Sequence, residues 1–227
     1  MINRVLSSEA APKGNKPSLL SAQGITKSFG GIRAVHDVDF DVAAGEIVGL
    51  VGPNGSGKST LLGCLSRDIP MDAGTISFNG ADVTKLRAMQ VARNGIGRTF
   101  QNVRIFPELS VWENALMGRQ WKGVGLRDML RPADIATRRR AADLIELMGF
   151  PQLTHEYAGN LSGGQMRLLE LVMAMMSRPR LVMLDEATSG VNPTLIESLK
   201  HYVKILNQEE NVAFIVVEHN IGFIFSI

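Results

Sequence analysis

Hydrophobic and polar residues follow two strand-like patterns in the first third of the chain. Residues 38–42 (VDFDV) alternate apolar and acidic side chains strictly, which predicts a strand with one exposed face. GTISFNGADV alternates in the same way at Ile76 and Phe78, and predicts a second exposed hairpin strand. AAGEIVGLVG is instead a continuous apolar run that enters a glycine-rich loop, as buried strands of parallel sheets do.

Helical patterns dominate the middle of the chain, between about residues 109 and 178. Before this region, STLLGCLSR at residues 59–67 predicts a helix directly after the glycine-rich loop. SVWENALMGRQ opens with a capping box at Ser110 and Glu113, and ADIATRRRAADLIELMGF predicts a helix that ends near Gly149 and Pro151. RLVMLDEATSG and NVAFIVVEHN then predict two buried strands, with PTLIESLKHYVKILNQE as the helix between them. The pattern indicates a parallel-sheet core that is interrupted by a helical insertion.

Composition narrows the class of protein. A length of 227 residues suits one large α/β domain or a domain with a sub-lobe. The net charge of +2 gives no reason to expect nucleic acid or an anionic membrane as a partner. The single cysteine, Cys64, excludes a disulfide framework and fits a reducing, cytoplasmic compartment.

The N-terminal residues have neither a signal-peptide core nor a membrane-spanning run. Ser, Ala, Gly and Pro dominate there, so we expect a flexible tail at residues 1–18 and one folded domain at residues 19–227. No apolar run in the sequence is long enough to cross a bilayer. Any membrane role is therefore expected to be peripheral and to act through a partner.

GPNGSGKS, at residues 52–59, satisfies the P-loop pattern G-x-x-x-x-G-K-S. Its glycines let backbone N–H groups surround phosphates, Lys58 can reach the β and γ phosphates, and Ser59 can hold Mg²⁺. A chance glycine-rich turn is the alternative, but the preceding strand and the following helix disfavour it. The phosphate-binding candidates are Gly52, Pro53, Asn54, Gly55, Ser56, Gly57, Lys58, Ser59 and Thr60.

The acidic pair in LVMLDE supplies a metal ligand and a base. Asp185 ends a buried strand, where its carboxylate can meet the metal beside Ser59. Glu186 points elsewhere and can polarise the attacking water. A strand-end pair that only caps the next loop is the alternative, which a P-loop upstream makes weaker.

A second anion-binding pattern, NLSGGQ, lies at residues 160–165, where it opens an apolar helix. Free N–H groups and the helix dipole favour an anion there. A helix start in the insertion could not easily reach the phosphates of its own P-loop, but it could reach those of a second subunit placed head to tail. An ordinary capped helix is the alternative for these residues taken alone.

Together GPNGSGKST, LVMLDE and LSGGQ resemble the ATPase subunit of an ATP-binding-cassette (ABC) transporter, over about residue 19 to the end. The resemblance implies an α/β fold: a P-loop NTPase parallel-sheet core with an antiparallel β subdomain and a helical subdomain at about residues 107–178. It also implies ATP hydrolysis with Mg²⁺ and an ATP sandwich dimer. In that dimer one chain completes the other's site with Ser162, Gly163, Gly164 and Gln165.

Three more positions match the family's motifs one by one. Phe29, in KSFGG, matches the aromatic that stacks on adenine, with a core phenylalanine as the alternative. Gln101, in RTFQN, matches the glutamine that senses Mg²⁺, and His219, after FIVVE, matches the switch histidine beside the γ-phosphate. The implied catalytic residues are Glu186, His219 and Lys58, and the implied metal ligands are Ser59, Gln101 and Asp185.

GIGRTFQNVRIFPELSVWENALMG is similar to importers of the branched-chain amino acid type, and SGVNP, with Asn192, fits that branch. The resemblance implies permease subunits, a second related ATPase as the dimer partner, and a periplasmic or extracellular substrate-binding protein. A heterodimer is favoured over a homodimer. The implied location is the cytoplasmic face of the inner or plasma membrane.

The sequence departs from the family pattern at three places. Ala187 replaces the proline that commonly follows the catalytic glutamate, and Asn220 replaces a common aspartate after the switch histidine. The chain ends in EHNIGFIFSI, and we expect the family's further C-terminal strands to be missing.

Two other classes of protein compete with the transporter. A soluble ABC ATPase that acts on DNA or ribosomes would bring a coiled coil or a second cassette, and the sequence has no sustained heptads and one cassette. A P-loop kinase or GTPase would have no use for LSGGQ.

Overall fold

The computed structural model describes residues 4–7, 18–119, 132–186, 188, 192–218 and 221–227. Its strands are β1 Arg4–Ser7, β2 Ser18–Phe29, β3 Ile32–Ala43, β4 Ile47–Val51, β5 Ala73–Phe78, β6 Ala81–Asp82, β7 Ile96–Arg98, β8 Leu181–Asp185 and β9 Ala213–Val217. Its helices are α1 Lys58–Leu65, α2 Ala88–Arg93, α3 Val111–Met117, α4 Ile135–Leu147, α5 Gly163–Met176, α6 Pro193–Glu210 and α7 Ile221–Ile224. Short 3-10 helices lie at Pro151–Leu153 and Ala158–Asn160.

The central sheet has the strand order β1-β4-β9-β8-β7. The β4–β9, β9–β8 and β8–β7 pairs are parallel, and β1 pairs antiparallel with β4. Every residue of β8 and β9 is buried, as expected for strands that are covered on both faces. The order brings the carboxyl ends of β4, β9 and β8 to one edge, and the loop after β4 therefore lies near the end of β8.

A second, antiparallel sheet has the order β3-β2-β5-β6. Along β3 the side chains of Phe40 and Val42 are buried while those of Asp39 and Asp41 are exposed, which confirms the predicted alternation. Ile76 and Phe78 of β5 are buried as well. Their core also contains α1 and one face of the central sheet.

The helical insertion packs on the opposite face of the central sheet. Buried side chains of α3, α4 and α5 share one core with Val182 of β8 and Phe214 of β9. The predicted capping box begins α3: the hydroxyl of Ser110 accepts from the N–H of Glu113 at 3.2 Å, and that carboxylate accepts from the N–H of Ser110 at 2.8 Å. The shared core attaches these helices to the same sheet that carries the loop after β4.

The expected flexible tail at residues 1–18 is wrong at two places. Arg4–Ser7 forms β1, with Leu6 opposite Gly49, and Ser18 is already the first residue of β2. The physical reason is that β4 without β1 would be an edge strand with unpaired N–H and C=O groups.

Besides β1, the sequence analysis did not predict α2 or β7. β7 has only three residues, too few to show a periodicity. Within the described residues, no helix is both long and apolar enough to cross a membrane.

Candidate functional site

The loop between β4 and α1 depends on glycine at two positions. Gly55 and Gly57 have φ values of 77° and 94°, which side chains other than glycine rarely adopt. A Cβ at Gly57 would lie 2.1 Å from the carbonyl oxygen of Ala34, so the loop also needs glycine for a close backbone approach. Gly57 is the N-cap of α1, and it has no side chain to occupy the N–H groups of the first turn. Those groups are available to an anion.

The ammonium of Lys58 is held inside this loop. The residue is 4% exposed, and Nζ donates to the carbonyl oxygens of Gly52 and Pro53 at 2.8 Å each. A positive charge therefore lies beside the N–H groups that begin α1. The loop combines the two features that bind phosphate, a cation and unpaired backbone donors.

Asp185, at the end of β8, lies next to the first turn of α1. Its Oδ1 accepts a hydrogen bond from the hydroxyl of Ser59 at 3.0 Å, and its Oδ2 accepts one from Nη2 of Arg98 at 3.1 Å. The residue is 2% exposed, so these partners satisfy a carboxylate that burial would otherwise penalise. The hydroxyl and carboxylate oxygens brought together here are hard ligands of the kind that Mg²⁺ prefers.

Arg98 was missed as a candidate by the sequence analysis. It ends β7, and its Nη1 also donates to Oδ2 of Asp68 at 3.1 Å and to the hydroxyl of Ser66 at 3.0 Å. One guanidinium therefore bridges two carboxylates and fixes the orientation of Asp185. The available signal was an arginine directly after the short apolar pair that begins β7, in GIGRTFQ.

The structure also brings together two predicted residues that are far apart in sequence. Nε2 of Gln101 donates to Oε2 of Glu186 at 2.9 Å. Glu186 has a φ of 50°, and its N–H donates to the carbonyl oxygen of Val217 in β9 at 2.9 Å. A left-handed glutamate directly after a buried strand is strained, and such residues are concentrated at functional sites.

The LSGGQ segment begins α5. Ser162 is the N-cap, its hydroxyl accepts from the N–H of Gln165 at 3.3 Å, and Oε1 of Gln165 accepts from the N–H of Ser162 at 2.9 Å. Ser162 and Gly163 are exposed, whereas a Cβ on Gly164 would lie 1.9 Å from Cδ2 of Leu195 in α6. In the described residues the side-chain hydrogen bonds of Ser162 and Gln165 stay inside the segment, which leaves its outer face open.

Phe29 lies at the tip of the β2–β3 hairpin. The residue is 51% exposed, so it is not a core phenylalanine. Nζ of Lys27 lies 5.3 Å from the ring centre and 2.8 Å from Oδ1 of Asp72, and Asp72 also accepts from the N–H of Ser28. These hydrogen bonds from Lys27 and Ser28 lower the pKa of Asp72.

His219, Ala187 and Asn220 lie outside the described residues. The residue before His219, Glu218, is described and is 2% exposed. It accepts hydrogen bonds from the N–H and the hydroxyl of Thr188, at 2.8 Å and 2.6 Å. The end of β9 is thereby tied to the segment that follows Glu186, a link that the sequence analysis did not predict.

Fold and site define a nucleotide-binding ATPase of the P-loop class, with an antiparallel sheet and a helical insertion around its parallel sheet. The profile described as ABC transporter matches residues 35–189. The chain belongs to the ABC transporter family, and it is an ATP-hydrolysing cassette of that family. The predicted fold class and ATPase activity are confirmed. Membership implies permease subunits in a membrane as partners.

Two curated relatives come from different bacteria. The high-affinity branched-chain amino acid transport ATP-binding protein BraF of Pseudomonas aeruginosa is 34% identical over 216 residues, covering 92% of this chain and 85% of BraF. LivG of Escherichia coli K12, which has the same descriptive name, is also 34% identical, with the same coverage.

Solved structures agree on the fold. The ADP conformation of MJ1267, an ATP-binding cassette of an ABC transporter, has a TM-score of 0.81 at 31% identity, and the match covers 92% of this chain and 84% of that one. A dimeric bacterial ABC transporter cassette, MJ0796, has a TM-score of 0.79 at 23% identity and covers 91% and 90% of the two chains. The second likeness concerns the fold alone.

Proposed function

We propose that this chain energises an importer of branched-chain or related amino acids, at the cytoplasmic face of the inner or plasma membrane. The observation that carries the proposal is the identity of 34% over 92% of the chain to two proteins named for branched-chain amino acid transport. We further propose a second, related ATPase as partner and a periplasmic or extracellular binding protein that delivers the substrate to the permeases.

Phosphate binding is assigned to the loop after β4. Residues 52–60 surround the phosphates with N–H groups, and Lys58 neutralises their charge. Phe29 offers an exposed ring to adenine. The uncapped start of α1 and the buried ammonium of Lys58 beside it support this assignment.

Mg²⁺ is assigned to Ser59, Asp185 and Gln101. The hydroxyl of Ser59 and Oδ1 of Asp185 lie 3.0 Å apart, and both are ligand types that suit the ion. When bound, Mg²⁺ offsets the negative charge of the β and γ phosphates. Arg98 holds the other oxygen of Asp185 and so keeps Oδ1 turned toward Ser59.

Glu186 is the proposed general base. Its carboxylate accepts the proton of the attacking water, and the amide of Gln101, 2.9 Å away, orients that carboxylate. His219 is proposed to contact the γ-phosphate. The LSGGQ segment, in which Ser162 and Gly163 are exposed, is proposed to complete the site of the second cassette with Ser162, Gly163, Gly164 and Gln165.

Uptake of radiolabelled leucine by a host strain that lacks this chain tests the proposal. The wild-type chain should restore uptake, and Glu186→Gln should not, although it should still bind ATP. Polar and aromatic amino acids serve as control substrates. Equal restoration by Glu186→Gln would contradict the base, and restored uptake of control amino acids alone would contradict the substrate class.

Affinity purification identifies the partners. Tagged Glu186→Gln chain is recovered from solubilised host membranes with ATP and Mg²⁺, and bound proteins are identified by mass spectrometry. We expect two permeases and a second cassette. Ribosomal or DNA-bound proteins would instead favour a soluble ABC ATPase.

A further inference from the structure

An arginine of α5 holds the backbone of the segment that contains Gln101. Nη1 of Arg167 donates to the carbonyl oxygen of Phe100 at 2.7 Å, and Nη2 donates to that of Gln101 at 2.6 Å. One planar guanidinium therefore forms hydrogen bonds to two successive carbonyl oxygens. Because its donors have a fixed geometry, the contact sets the orientation of this peptide as well as its distance from α5.

A buried glutamate of the same helix holds the N–H groups of that segment. Oε1 of Glu170 accepts from Phe100 at 3.1 Å and from Arg104 at 3.2 Å. Glu170 is 4% exposed, and its Oε2 lies 4.0 Å from Nη1 of Arg167. A buried carboxylate is costly unless it is hydrogen-bonded, so this arrangement is maintained by the contacts with residues 100–104.

The ring of Phe100 links the same segment to the end of β8. The guanidinium carbons of Arg104 and Arg98 lie 3.6 Å and 5.0 Å from the ring centre, and Arg98 is the partner of Asp185. The side chain of Gln101 meets Glu186. The segment is thus bound on one side to the proposed metal and base residues and on the other side to α5.

Ser162 is the N-cap of this helix, and Arg167 and Glu170 lie within about its first two turns. A hydrogen-bonded helix moves as a unit over such a distance, because shearing it would break several backbone bonds together. A displacement of residues 100–104 would therefore also move Ser162 and Gly163, the exposed residues of the LSGGQ segment.

We propose that Arg167 and Glu170 are positioning residues that hold the backbone of residues 100–104, which include Gln101, against α5. Nucleotide bound in the chain's own site then determines where Ser162 is presented to the site of the second cassette. The inference rests on the proposed function for the roles of Gln101 and Ser162, and it adds the two side chains that connect them.

Hydrogen exchange of the full-length chain tests the connection without requiring turnover. The chain carries Ser162→Arg, which blocks the two-chain site, so that any response of α5 must pass within one chain. We expect ATP with Mg²⁺ to slow exchange both at residues 99–105 and in α5. Adding Arg167→Met should abolish the response of α5 while residues 99–105 still respond.

The chain offers a matched control for the loss of an arginine. Arg140 of α4 also donates to the backbone of α5, at the carbonyl oxygen of Met175 near the other end of the helix, and it pairs with Glu210. Arg140→Met should leave both responses in place. If α5 still responds in Arg167→Met, or if it stops responding in Arg140→Met, the inference is overturned.

Two substitutions at Glu170 test the same connection, so that misfolding of a single variant does not decide the result. Glu170→Gln retains the acceptor Oε1 and should keep the response of α5, whereas Glu170→Leu should lose it. Loss in both variants, or in neither, would overturn the inference. A parent chain in which neither segment responds to nucleotide would instead contradict the proposed function itself, and with it the inference.

A double-mutant cycle on turnover gives an independent measurement. Arg167→Met should lower kcat about tenfold with a nearly unchanged Kd for ATP, and it should have no further effect in a Gln101→Ala chain, since residues that act as a unit are non-additive. Effects that multiply in the double variant would mean that Arg167 does not act through Gln101.

Discussion

The hydroxyl of Ser59 donates a 3.0 Å hydrogen bond to Oδ1 of Asp185, across a sequence separation of 126 residues. β9 lies between β4 and β8 in the sheet, so the loop after β4 and the end of β8 share one edge. Arg98 holds the second oxygen of Asp185 from the neighbouring strand, β7. The strand order therefore brings together two of the three proposed metal ligands, Ser59 and Asp185.

Asp185→Asn should lower ATP hydrolysis by about a hundredfold or more, because a metal ligand supplies several kcal/mol of charge stabilisation. Unfolding in urea should also become easier, by about 3 kcal/mol, because Arg98 would lose a buried charge partner. Chelation of Mg²⁺ should stop hydrolysis by the unaltered chain, and added Mg²⁺ should restore it.

Asp68→Asn is the matched control. It removes the other carboxylate that Arg98 contacts, whose side chain is 35% exposed. Turnover should stay within about threefold of the unaltered chain, since pairs that are partly exposed contribute about 1 kcal/mol or less. Comparable losses in the two variants would contradict the assignment of Asp185 to the metal.

Gly163 and Gly164 should respond differently to alanine. A Cβ on Gly163 meets nothing within 4 Å, so Gly163→Ala should leave the free energy of unfolding unchanged or raise it by up to about 1 kcal/mol. Gly164→Ala should lower it by about 1–3 kcal/mol, because the methyl group would displace Leu195.

Turnover should separate the two roles of these glycines. If Gly163 faces the nucleotide of a second cassette, Gly163→Ala should reduce hydrolysis about tenfold or more while the chain stays stable. Full activity in that variant would show that this face does not close on a reacting nucleotide. Urea denaturation and phosphate release measure the two quantities separately.

Gly57→Ala should destabilise the chain by at least about 3 kcal/mol, because backbone strain adds to a clash with a carbonyl oxygen that cannot move aside. Gly55→Ala, with a similarly positive φ but open space around it, should lose about 1–2 kcal/mol. Equal losses on urea denaturation would mean that the approach of Gly57 to Ala34 relaxes freely.

Phe29→Ala should weaken ATP binding about tenfold, since stacking on a base contributes about 1–3 kcal/mol. The melting temperature should not change, because the ring is largely exposed. Ile32→Ala, at the same hairpin tip and 74% exposed, is the control. Titration with a fluorescent ATP analogue measures the Kd of both variants, and an equal loss of affinity in Ile32→Ala would contradict stacking.

Burial raises the pKa of Glu170. The folded state therefore binds the proton more tightly than the unfolded state, and the stability that protonated Glu170 provides is lost as the pH rises. The loss begins near the ordinary glutamate pKa of about 4.3 and ends once the pH exceeds the raised folded pKa. In urea, the unaltered chain should lose stability relative to Glu170→Gln across that window.

Glu113 should show the opposite trend. The N–H and hydroxyl of Ser110 lower the pKa of Glu113. Its contribution is therefore present above the ordinary pKa and is lost as the pH falls through the lowered folded value. In the same urea series, the free energy of unfolding of the unaltered chain should therefore rise relative to that of Glu113→Gln as the pH increases. If it also rose relative to that of Glu170→Gln, the result would contradict the burial of Glu170.

Local patterns predicted the elements well where a residue type dictates a backbone shape. Three features depend only on residues that are close together in sequence: the strict alternation in β3, the capping box at Ser110, and the glycines of the loop after β4. β1 and β7 escaped prediction because a short strand is stabilised by hydrogen bonds to its neighbour and not by its own periodicity.

The sequence by itself determined the class of chemistry: a phosphate loop, an acidic pair after a buried strand, and a glycine-rich helix start. These depend on neighbours along the chain. Only the tertiary structure decided three contacts. Ser59 is hydrogen-bonded to Asp185, Arg98 bridges two carboxylates, and Arg167 of α5 binds the backbone of Gln101. Such contacts follow from strand order and helix packing. Both are set by long-range backbone pairing and burial, which no local pattern records.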